Sequence, residues 1–336
     1  MKEYLVKLMP LGPYFFGNEK IFDYSNNKSS RYYIKGENMP SQSAVLGVLR
    51  YLLMPIKKSD WNYHENDLKA NQKVIGENGF NPENADADYG KIHKLSPVFL
   101  LNATGPLVRT PFDHIEDNNT YTPFSNYRTT VIPGENFPKE KYYAMEYDAK
   151  AGISESFMQL SDGKIIPFSK IFKSDTRVGI NRFEKEGGFF KKEYKILLDG
   201  ICFAVYAELA DDIVPSDGIV YMGQGKSAFS VSFTEQKNNL VSDIQKYLRE
   251  DVVYVAGDTF ASASIYDDVF FAVTKTKTYR HFYKYKNKVS KGDKLYNIIQ
   301  AGSILIPYNK KDFLKKLENT ALKKAGHNSF VYKEEN

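Results

Sequence analysis

Four groups of residues have types and spacing suited to binding a phosphate backbone or to chemistry on it. The first is a glycine-rich segment between two predicted strands, Gly223-Gln224-Gly225-Lys226-Ser227. Glycines let a backbone approach a phosphate closely, and the Lys226 ammonium adds positive charge. The spacing differs from that of a Walker loop, and a strand follows instead of a helix. The segment predicts a phosphate-binding turn, with an ordinary hairpin loop as the alternative.

The second group lies at the start of the clearest predicted helix, over residues 40–54, whose apolar residues recur with helical spacing. Ser41 is placed to cap this helix, and Ser43 adds a second hydroxyl. Free backbone N–H groups and the helix dipole favour an anion there, and Arg50 lies on the same helix. The alternative is that Ser41 and Ser43 only cap the helix.

The third group is a basic block, residues 275–294, with eight basic residues and one acidic residue. Its net charge is +7 in a chain of net +5, so the rest of the chain sums to −2. Aromatic residues interleave with the basic ones, as single-stranded RNA requires for base stacking and phosphate contact. The candidate contacts are Lys277, Arg280 and Lys284. The alternative is a solvated charged face.

The fourth group is the five histidines, none of which forms a pair with metal-ligand spacing. The sequence therefore predicts no metal site, no cofactor and no catalytic residue. The alternative is a metal-independent endoribonuclease, for which His281, among lysines and tyrosines, is the candidate general base. The sequence contains neither a G-x-S-x-G elbow nor a C-x-x-C pair.

Composition gives the broad class of the protein. The 336 residues are 42% hydrophobic and 15% aromatic, which is enough apolar material for two ordinary cores. The lone cysteine, Cys202, excludes an internal disulfide. Because no apolar stretch approaches 18 residues and the first residues lack signal-peptide form, we expect a cytoplasmic protein that does not contact a membrane.

The elements that must position these groups follow from hydrophobic periodicity and turn residues. Strand–helix–strand order near both ends, with antiparallel runs between, predicts an α+β fold of two ferredoxin-like (RRM-like) halves with loop and hairpin insertions. The N-terminal domain is predicted over residues 1–160, with a polar insertion at about 57–95, and the C-terminal domain over 161–336. The C-terminal domain carries the glycine-rich segment and a basic strand pair. Further helices are predicted at 238–249 and 310–324.

Four segments together resemble the RAMP superfamily of CRISPR proteins. Residues 8–16 (LMPLGPYFF) resemble its opening strand and loop, and residues 39–50 (MPSQSAVLGVLR) resemble its first helix, which begins with Pro-Ser and ends with Gly-x-Leu-Arg. Residues 177–180 (RVGI) with 186–190 (EGGFF), and residues 223–229, resemble its R-V-G-I segment and its glycine-rich loop. The similarity is greatest to the third subunit of the Cmr (type III-B) effector complex, in the fifth Cas group.

This resemblance implies a non-enzymatic subunit at the foot of the complex, which grips the 5′ repeat-derived tag (handle) of the crRNA. It implies as partners the large polymerase/cyclase-like subunit of the Cas ten type, a backbone RAMP subunit and, indirectly, the target RNA. The equivalent subunit of a type III-A or III-D complex remains an alternative, as does a RAMP endoribonuclease that processes precursor crRNA. The tag contacts implied by the resemblance are Ser41, Ser43, Arg50, Arg177, Gly179, Gly223, Gly225, Lys226 and Ser227.

Overall fold

The computed structural model describes most of the chain. The described residues are 1–22, 32–58, 63–77, 79–115, 118–124, 127–131, 140–144, 152–153, 155–180, 189–223, 226–280, 282–285, 288–291 and 294–334.

Strands dominate the described part of the chain. They are β1 (Lys2–Pro10), β2 (Phe16–Phe22), β3 (Tyr32–Glu37), β4 (Ile92–Leu95), β5 (Phe99–Asn102), β6 (Gly105–Arg109), β7 (Tyr127–Val131), β8 (Glu140–Ala144), β9 (Ser156–Gln159), β10 (Ile165–Pro167), β11 (Phe172–Ile180), β12 (Phe189–Leu197), β13 (Cys202–Leu209), β14 (Gly218–Met222), β15 (Ser227–Glu235), β16 (Val253–Val255), β17 (Thr259–Phe260), β18 (Val269–Val273), β19 (Thr276–Tyr279), β20 (Phe282–Tyr285), β21 (Lys288–Lys291), β22 (Tyr296–Ile299), β23 (Ile304–Pro307) and β24 (Phe330–Val331).

The helices are few and short. They are α1 (Gln42–Leu53), α2 (Glu65–Ile75), α3 (Leu240–Gln245), α4 (Lys310–Lys316) and α5 (Thr320–Lys324), with 3₁₀ turns at Phe168–Lys170 and Ala263–Asp268. The predicted α+β class with antiparallel sheets is confirmed. In the described ranges no helix is both long and apolar enough to cross a membrane.

The chain forms two compact units, each of which takes segments from both sides of residue 160. Unit 1 comprises Met1–Glu77, Tyr89–Ala103 and Ser169–Lys237, and unit 2 comprises Asn78–Asp88, Thr104–Phe168 and Asn238–Asn336.

The central sheet of unit 1 runs in the order β5-β13-β1-β15-β14, and β4 also pairs with β13. All of these pairings that involve β1, β13 and β15 are antiparallel. Strand β13 is buried along almost its whole length, which suits its apolar run CFAVYA. Helix α1 packs beside β14 and buries Val45 and Leu49.

A second sheet of unit 1 has the order β11-β12-β3-β2. Strands β11 and β12 form a long antiparallel hairpin, whereas β12 and β3 run parallel. Gly36 of β3 lies so close to β12 that a Cβ atom there would come 2.1 Å from the backbone oxygen of Glu193. The two strands can therefore approach only because position 36 has no side chain.

Unit 2 has three groups of antiparallel strands, in the orders β10-β9-β6, β18-β23-β16-β24 and β17-β22-β19. Helix α4 buries Phe313 against a core that includes Val253, Val255 and Leu305. Two hairpins, β7–β8 and β20–β21, complete its described strands.

Three predicted elements differ from the structure. The polar stretch 57–95 contains helix α2 and strand β4. Buried Asn71 holds α2 in place, since its side chain accepts from the N–H and donates to the carbonyl of Ile56. The helix predicted at 310–324 is two helices, because Asn319 caps a new helix by accepting from the N–H of Leu322. The helix predicted at 238–249 is limited to α3.

We expect opposite effects from alanine at two glycines of unit 1. Gly36→Ala should lower the free energy of unfolding by about 1–3 kcal/mol, because its methyl group meets a backbone oxygen that cannot move away alone. Gly47→Ala is the matched control: Gly47 lies exposed in α1 with open space around it, and alanine there should stabilise by about 1 kcal/mol. Urea unfolding of both variants measures this. Equal changes of the unfolding free energy in the same direction would contradict the close approach of β12 to Gly36.

Candidate nucleic-acid interface

Tyr14 joins the start of α1 to β12, the strand that pairs with the predicted contacts Arg177 and Gly179 of β11. Its backbone N–H donates to the carbonyl of Lys195 and its carbonyl accepts from the Lys195 N–H, both at 2.8 Å. Its hydroxyl donates to the carbonyl of Asn38 at 2.8 Å, just before α1 begins. The side chain is fully buried and packs edge-on against Phe203. The start of α1 and strand β12 are thereby fixed to the same residue.

Phe15 joins a third segment, the glycine turn (residues 223–227), to the same place. Its N–H donates to the Ser227 hydroxyl at 3.2 Å. Gly223 has φ +72°, and a Cβ atom there would come 2.2 Å from the carbonyl oxygen of Phe15. Both the positive φ and the close approach require glycine at this position.

The glycine turn connects β14 to β15, with Met222 opposite Ser227. Lys226 closes the turn by donating its N–H to the carbonyl of Gly223 at 3.1 Å, and its φ of +48° lies in the left-handed region. The Lys226 side chain is exposed, and Ser227 is half-buried. The predicted contact Gly225 lies outside the described residues.

At the start of α1, Ser41 caps the helix as predicted, because its hydroxyl accepts from the N–H of Ala44 at 3.3 Å. The hydroxyls of Ser41 and Ser43 lie 3.3 Å apart. The neighbouring Gln42 is buried and exchanges hydrogen bonds with the carbonyl of Ser96 and the N–H of Val98. This anchor leaves Ser41 exposed at the surface.

Arg50 has a structural role within unit 1. Its Nε donates to the carbonyl of Ile75 at 2.9 Å, and its Nη2 donates to that of Gly76 at 3.1 Å. These carbonyls lie at the C-terminal end of α2, where backbone oxygens lack helical partners. Arg50 thus stabilises the end of α2, and its predicted RNA contact stays a prediction.

Arg177 lies on the hairpin β11–β12, directly opposite Lys192. Its guanidinium lies 4.5 Å from the ring centroid of Tyr194, and its Nε donates to the Asp175 carboxylate at 2.8 Å. The ammonium of Lys192 lies over two rings, 5.4 Å from Phe15 and 5.1 Å from a second ring on β12.

That second ring belongs to Phe190, and Gly179 makes room for it. A Cβ atom at position 179 would come 2.3 Å from Cζ of Phe190. We call Arg177, Phe190, Lys192 and Tyr194 the β12 face. Sequence reasoning missed Lys192 and Tyr194. A signal was available in 189–195 (FFKKEYK), where every second residue from Phe190 is in turn aromatic, basic and aromatic.

The opposite side of β12 carries a buried ionic network. The Lys195 ammonium donates to Glu193 Oε1 at 2.6 Å and to the Ser174 hydroxyl at 2.9 Å. Ser174 also donates to Oε1, and the Tyr33 hydroxyl donates to Oε2 at 2.8 Å. The network cross-links β11, β12 and β3.

Two pKa values show how strongly this network is coupled. Burial alone would raise the pKa of Glu193, but hydrogen bonds from Lys195, Ser174 and Tyr33 outweigh it and lower that pKa to about 2. Burial, together with the hydrogen bond to Glu193, raises the pKa of Tyr33 to about 12. The carboxylate therefore stays ionised in spite of its burial.

In unit 2 three lysines of the basic block are paired with acids. The Lys277 ammonium lies 2.7 Å from the Asp258 carboxylate, and that of Lys275 lies 3.4 Å from Glu155. A third ion pair joins Lys294 to Glu83. Of the predicted contacts in the block, Arg280 is exposed, and the side chain of Lys284 lies outside the described part of the chain.

The described aromatic residues of the block also pack within unit 2. Tyr279 lies edge-on to Phe80 and Phe260, with ring centroids 6.2 and 5.2 Å away, and Tyr296 contacts the same cluster. His327 is buried beside it, and burial lowers its pKa to about 4. The candidate base His281 lies outside the described residues. Within the described ranges, no three His, Cys, Asp or Glu side chains are grouped to hold a metal ion.

Comparisons with known proteins bear on the fold. No protein-family model matches the chain, and no curated protein matches it. A chain in the cryo-EM structure of the Type III-B Cmr-beta bound to cognate target RNA is similar at 14% identity, with a TM-score of 0.57, over 98% of this chain and 96% of that one. A chain in the structure of the same assembly with AMPPnP, state 1, gives 12% identity, a TM-score of 0.56 and the same coverage. At this identity the likeness shows a shared α+β fold over nearly the whole chain.

Glutamine at position 193 should destabilise the protein in a pH-dependent way. Glu193→Gln leaves the buried Lys195 charge unpaired, so we expect a loss of about 3–5 kcal/mol at pH 7. The folded pKa of about 2 lies below the ordinary value of 4.5, so the ionised carboxylate stabilises the fold above pH 4.5 and loses this effect as the pH falls toward 2.

The difference in unfolding free energy between wild type and Glu193→Gln should therefore shrink between pH 7 and pH 3, as urea titrations would measure. The control is the double variant Glu193→Met, Lys195→Met, which removes both charges and should be much less destabilised than the single variant. A difference that is independent of pH would show that the carboxylate charge contributes nothing to stability.

Proposed function

We propose that this protein is the non-catalytic RNA-binding subunit of a type III CRISPR effector complex, and that it holds the 5′ handle of the crRNA. One observation carries the proposal: the short segment of Tyr14 and Phe15 holds the start of α1, strand β12 and the glycine turn in one unit. The sequence resemblance assigns handle contacts to α1, to the glycine turn and to β11, which pairs with β12. Exposed Ser41, Arg177 and Lys226 provide a cap hydroxyl and two cations around that segment.

The chemistry of these groups suits RNA without any catalytic step. Backbone N–H groups and Lys or Arg side chains bind phosphates, whereas loops reach the edges of unpaired bases. Lys226 is held in a turn whose glycine keeps the backbone accessible, and the exposed N-terminus of α1 favours an anion. We assign secondary contacts to Arg280 and Lys284 of the basic block.

The fold supports the type III-B assignment over nearly the full length of the chain. The similar chain is part of the Type III-B Cmr-beta bound to cognate target RNA. By that likeness and the sequence resemblance, the proposed partners are the large polymerase/cyclase-like subunit and a backbone RAMP subunit, with the target RNA contacted indirectly. We place the complex in the cytoplasm.

The experiment that tests the proposal is a binding titration with guide RNA that carries or lacks its 5′ tag. The purified chain is assayed alone and together with the products of its neighbouring genes, and gels report any cleavage. Tag-dependent binding without cleavage supports the proposal. Cleavage at one phosphate would make the protein a processing endoribonuclease, and binding without tag preference would make it a general backbone-holding subunit.

Removal of two cations around the Phe15 segment should weaken binding through fewer phosphate contacts. In the double variant Lys192→Ala, Lys226→Ala, the negative slope of log K against log salt should become shallower by about 1.4, since each phosphate neutralised on a single strand contributes about −0.7. The matched control is Lys311→Ala, which removes an exposed lysine of α4 in unit 2 and should leave the slope unchanged. An unchanged slope in the double variant would show that these two lysines do not contact RNA phosphates.

A further inference from the structure

Arg177 presents its guanidinium to solvent beside an aromatic ring. Its Cζ lies over the Tyr194 ring, 4.5 Å from the ring centroid, while its side chain is 51% exposed. Tyr194 in turn contacts the fully buried ring of Phe15, at a centroid distance of 5.4 Å. The guanidinium is thus held in place on a rigid aromatic base.

The charge of Arg177 is partly compensated by its neighbour. The Asp175 carboxylate accepts a hydrogen bond from Nε at 2.8 Å and lies on the same strand, two residues earlier. A phosphate at this position would be repelled by that carboxylate. A nucleobase carries no such negative charge, so it can stack on the exposed guanidinium by cation–π attraction without this repulsion.

Lys192 supplies a positive charge that no neighbouring carboxylate among the described residues compensates, unlike that of Arg177. It lies directly across the hairpin from Arg177, and such cross-strand side chains are about 4.5–5.5 Å apart at Cβ. Its ammonium rests on the rings of Phe15 and Phe190. No carboxylate in the described part of the chain lies within ion-pair distance of it, so its charge remains available for a phosphate.

We propose that Arg177 on Tyr194 is a stacking platform for one unpaired base of the bound RNA, and that Lys192 takes an adjacent phosphate. This inference rests on the proposed function and specifies how one nucleotide is held. Because stacking uses the face of the base and not its edge, the platform selects for the presence and size of a base more than for its identity. Arg177 is then a base contact and not a phosphate anchor.

The test uses three fluorescein-labelled octamers with equal numbers of phosphates: (rA)8, (rU)8 and a fully abasic ribose-phosphate octamer. Fluorescence anisotropy measures their affinities for the wild type, Arg177→Lys and Lys192→Ala. We expect the wild type to bind (rA)8 most tightly, (rU)8 less tightly and the abasic octamer most weakly. In Arg177→Lys, which keeps the charge but loses the plane, the preference for (rA)8 over the abasic probe should fall at least about fivefold.

Lys192→Ala should weaken the affinity for all three probes by the same factor and make the negative slope of log K against log salt shallower by about 0.7. The control is Lys191→Ala, which removes a neighbouring exposed lysine on the opposite side of β12 and should leave the preference for (rA)8 unchanged. Cross-linking of a 4-thiouridine octamer to the hairpin β11–β12 gives an independent readout of base contact. Thermal unfolding of each variant checks that the fold is retained.

An Arg177→Lys variant that keeps the full preference for (rA)8 overturns the platform, as does one that loses as much affinity for the abasic probe as for (rA)8. If tag-dependent binding persists in either case, the proposed function survives without the platform. Conversely, a base preference that depends on Arg177 in a protein with no tag preference supports the platform and refutes handle binding.

Discussion

The arrangement of unit 1 depends on the satisfaction of buried backbone polar groups by the segment that follows β1. The backbone of Tyr14 cannot reach water, so its N–H and C=O must be paired inside the protein, and both pair with Lys195. The Phe15 N–H has the same requirement and meets it at Ser227. Each bond is worth only about 1 kcal/mol net, but an unmade one costs more, so the segment, β12 and the glycine turn must form together.

The two sides of β12 show how a strand can support a surface on one side and a core on the other. Lys192 and Tyr194 lie on one side, and Glu193 and Lys195 lie on the other, where burial is tolerated because hydrogen bonds from Ser174 and Tyr33 complete the ion pair. A shift of the strand by one residue would exchange these sets and bury Lys192 without a carboxylate to pair with it. The ionic network therefore specifies register as well as contributing stability.

The sequence predicted the local features of the candidate interface better than its contacts. Ser41 as a cap and a glycine turn between two strands follow from short-range backbone chemistry, so periodicity and turn residues were sufficient to predict them. The role of Arg50 at the end of α2 was not predictable, because it depends on two carbonyls that lie 25 and 26 residues away in the chain.

The same limit applies to the elements that were missed. Helix α2 has few apolar residues and is held by the side chain of Asn71 and by Arg50, which periodicity does not detect. The break between α4 and α5 is a different case, because the local capping pair Asn319-Thr320 signalled it inside an otherwise helical pattern. Tertiary contact thus decided the formation of α2, whereas a local cap decided the break.

Charge density along the chain is a poor guide to charge at a surface. The basic block has the highest local charge in the sequence, yet Lys275, Lys277 and Lys294 each have an acidic partner drawn from a distant part of the chain. Ion pairs of this kind reduce the field that a polyanion meets. Lys192 stands in a less basic stretch, but its ammonium lies on aromatic rings. In the proposed interface, specificity would come from a few cations held beside aromatic rings, and we expect its affinity for isolated RNA to be modest and dependent on salt.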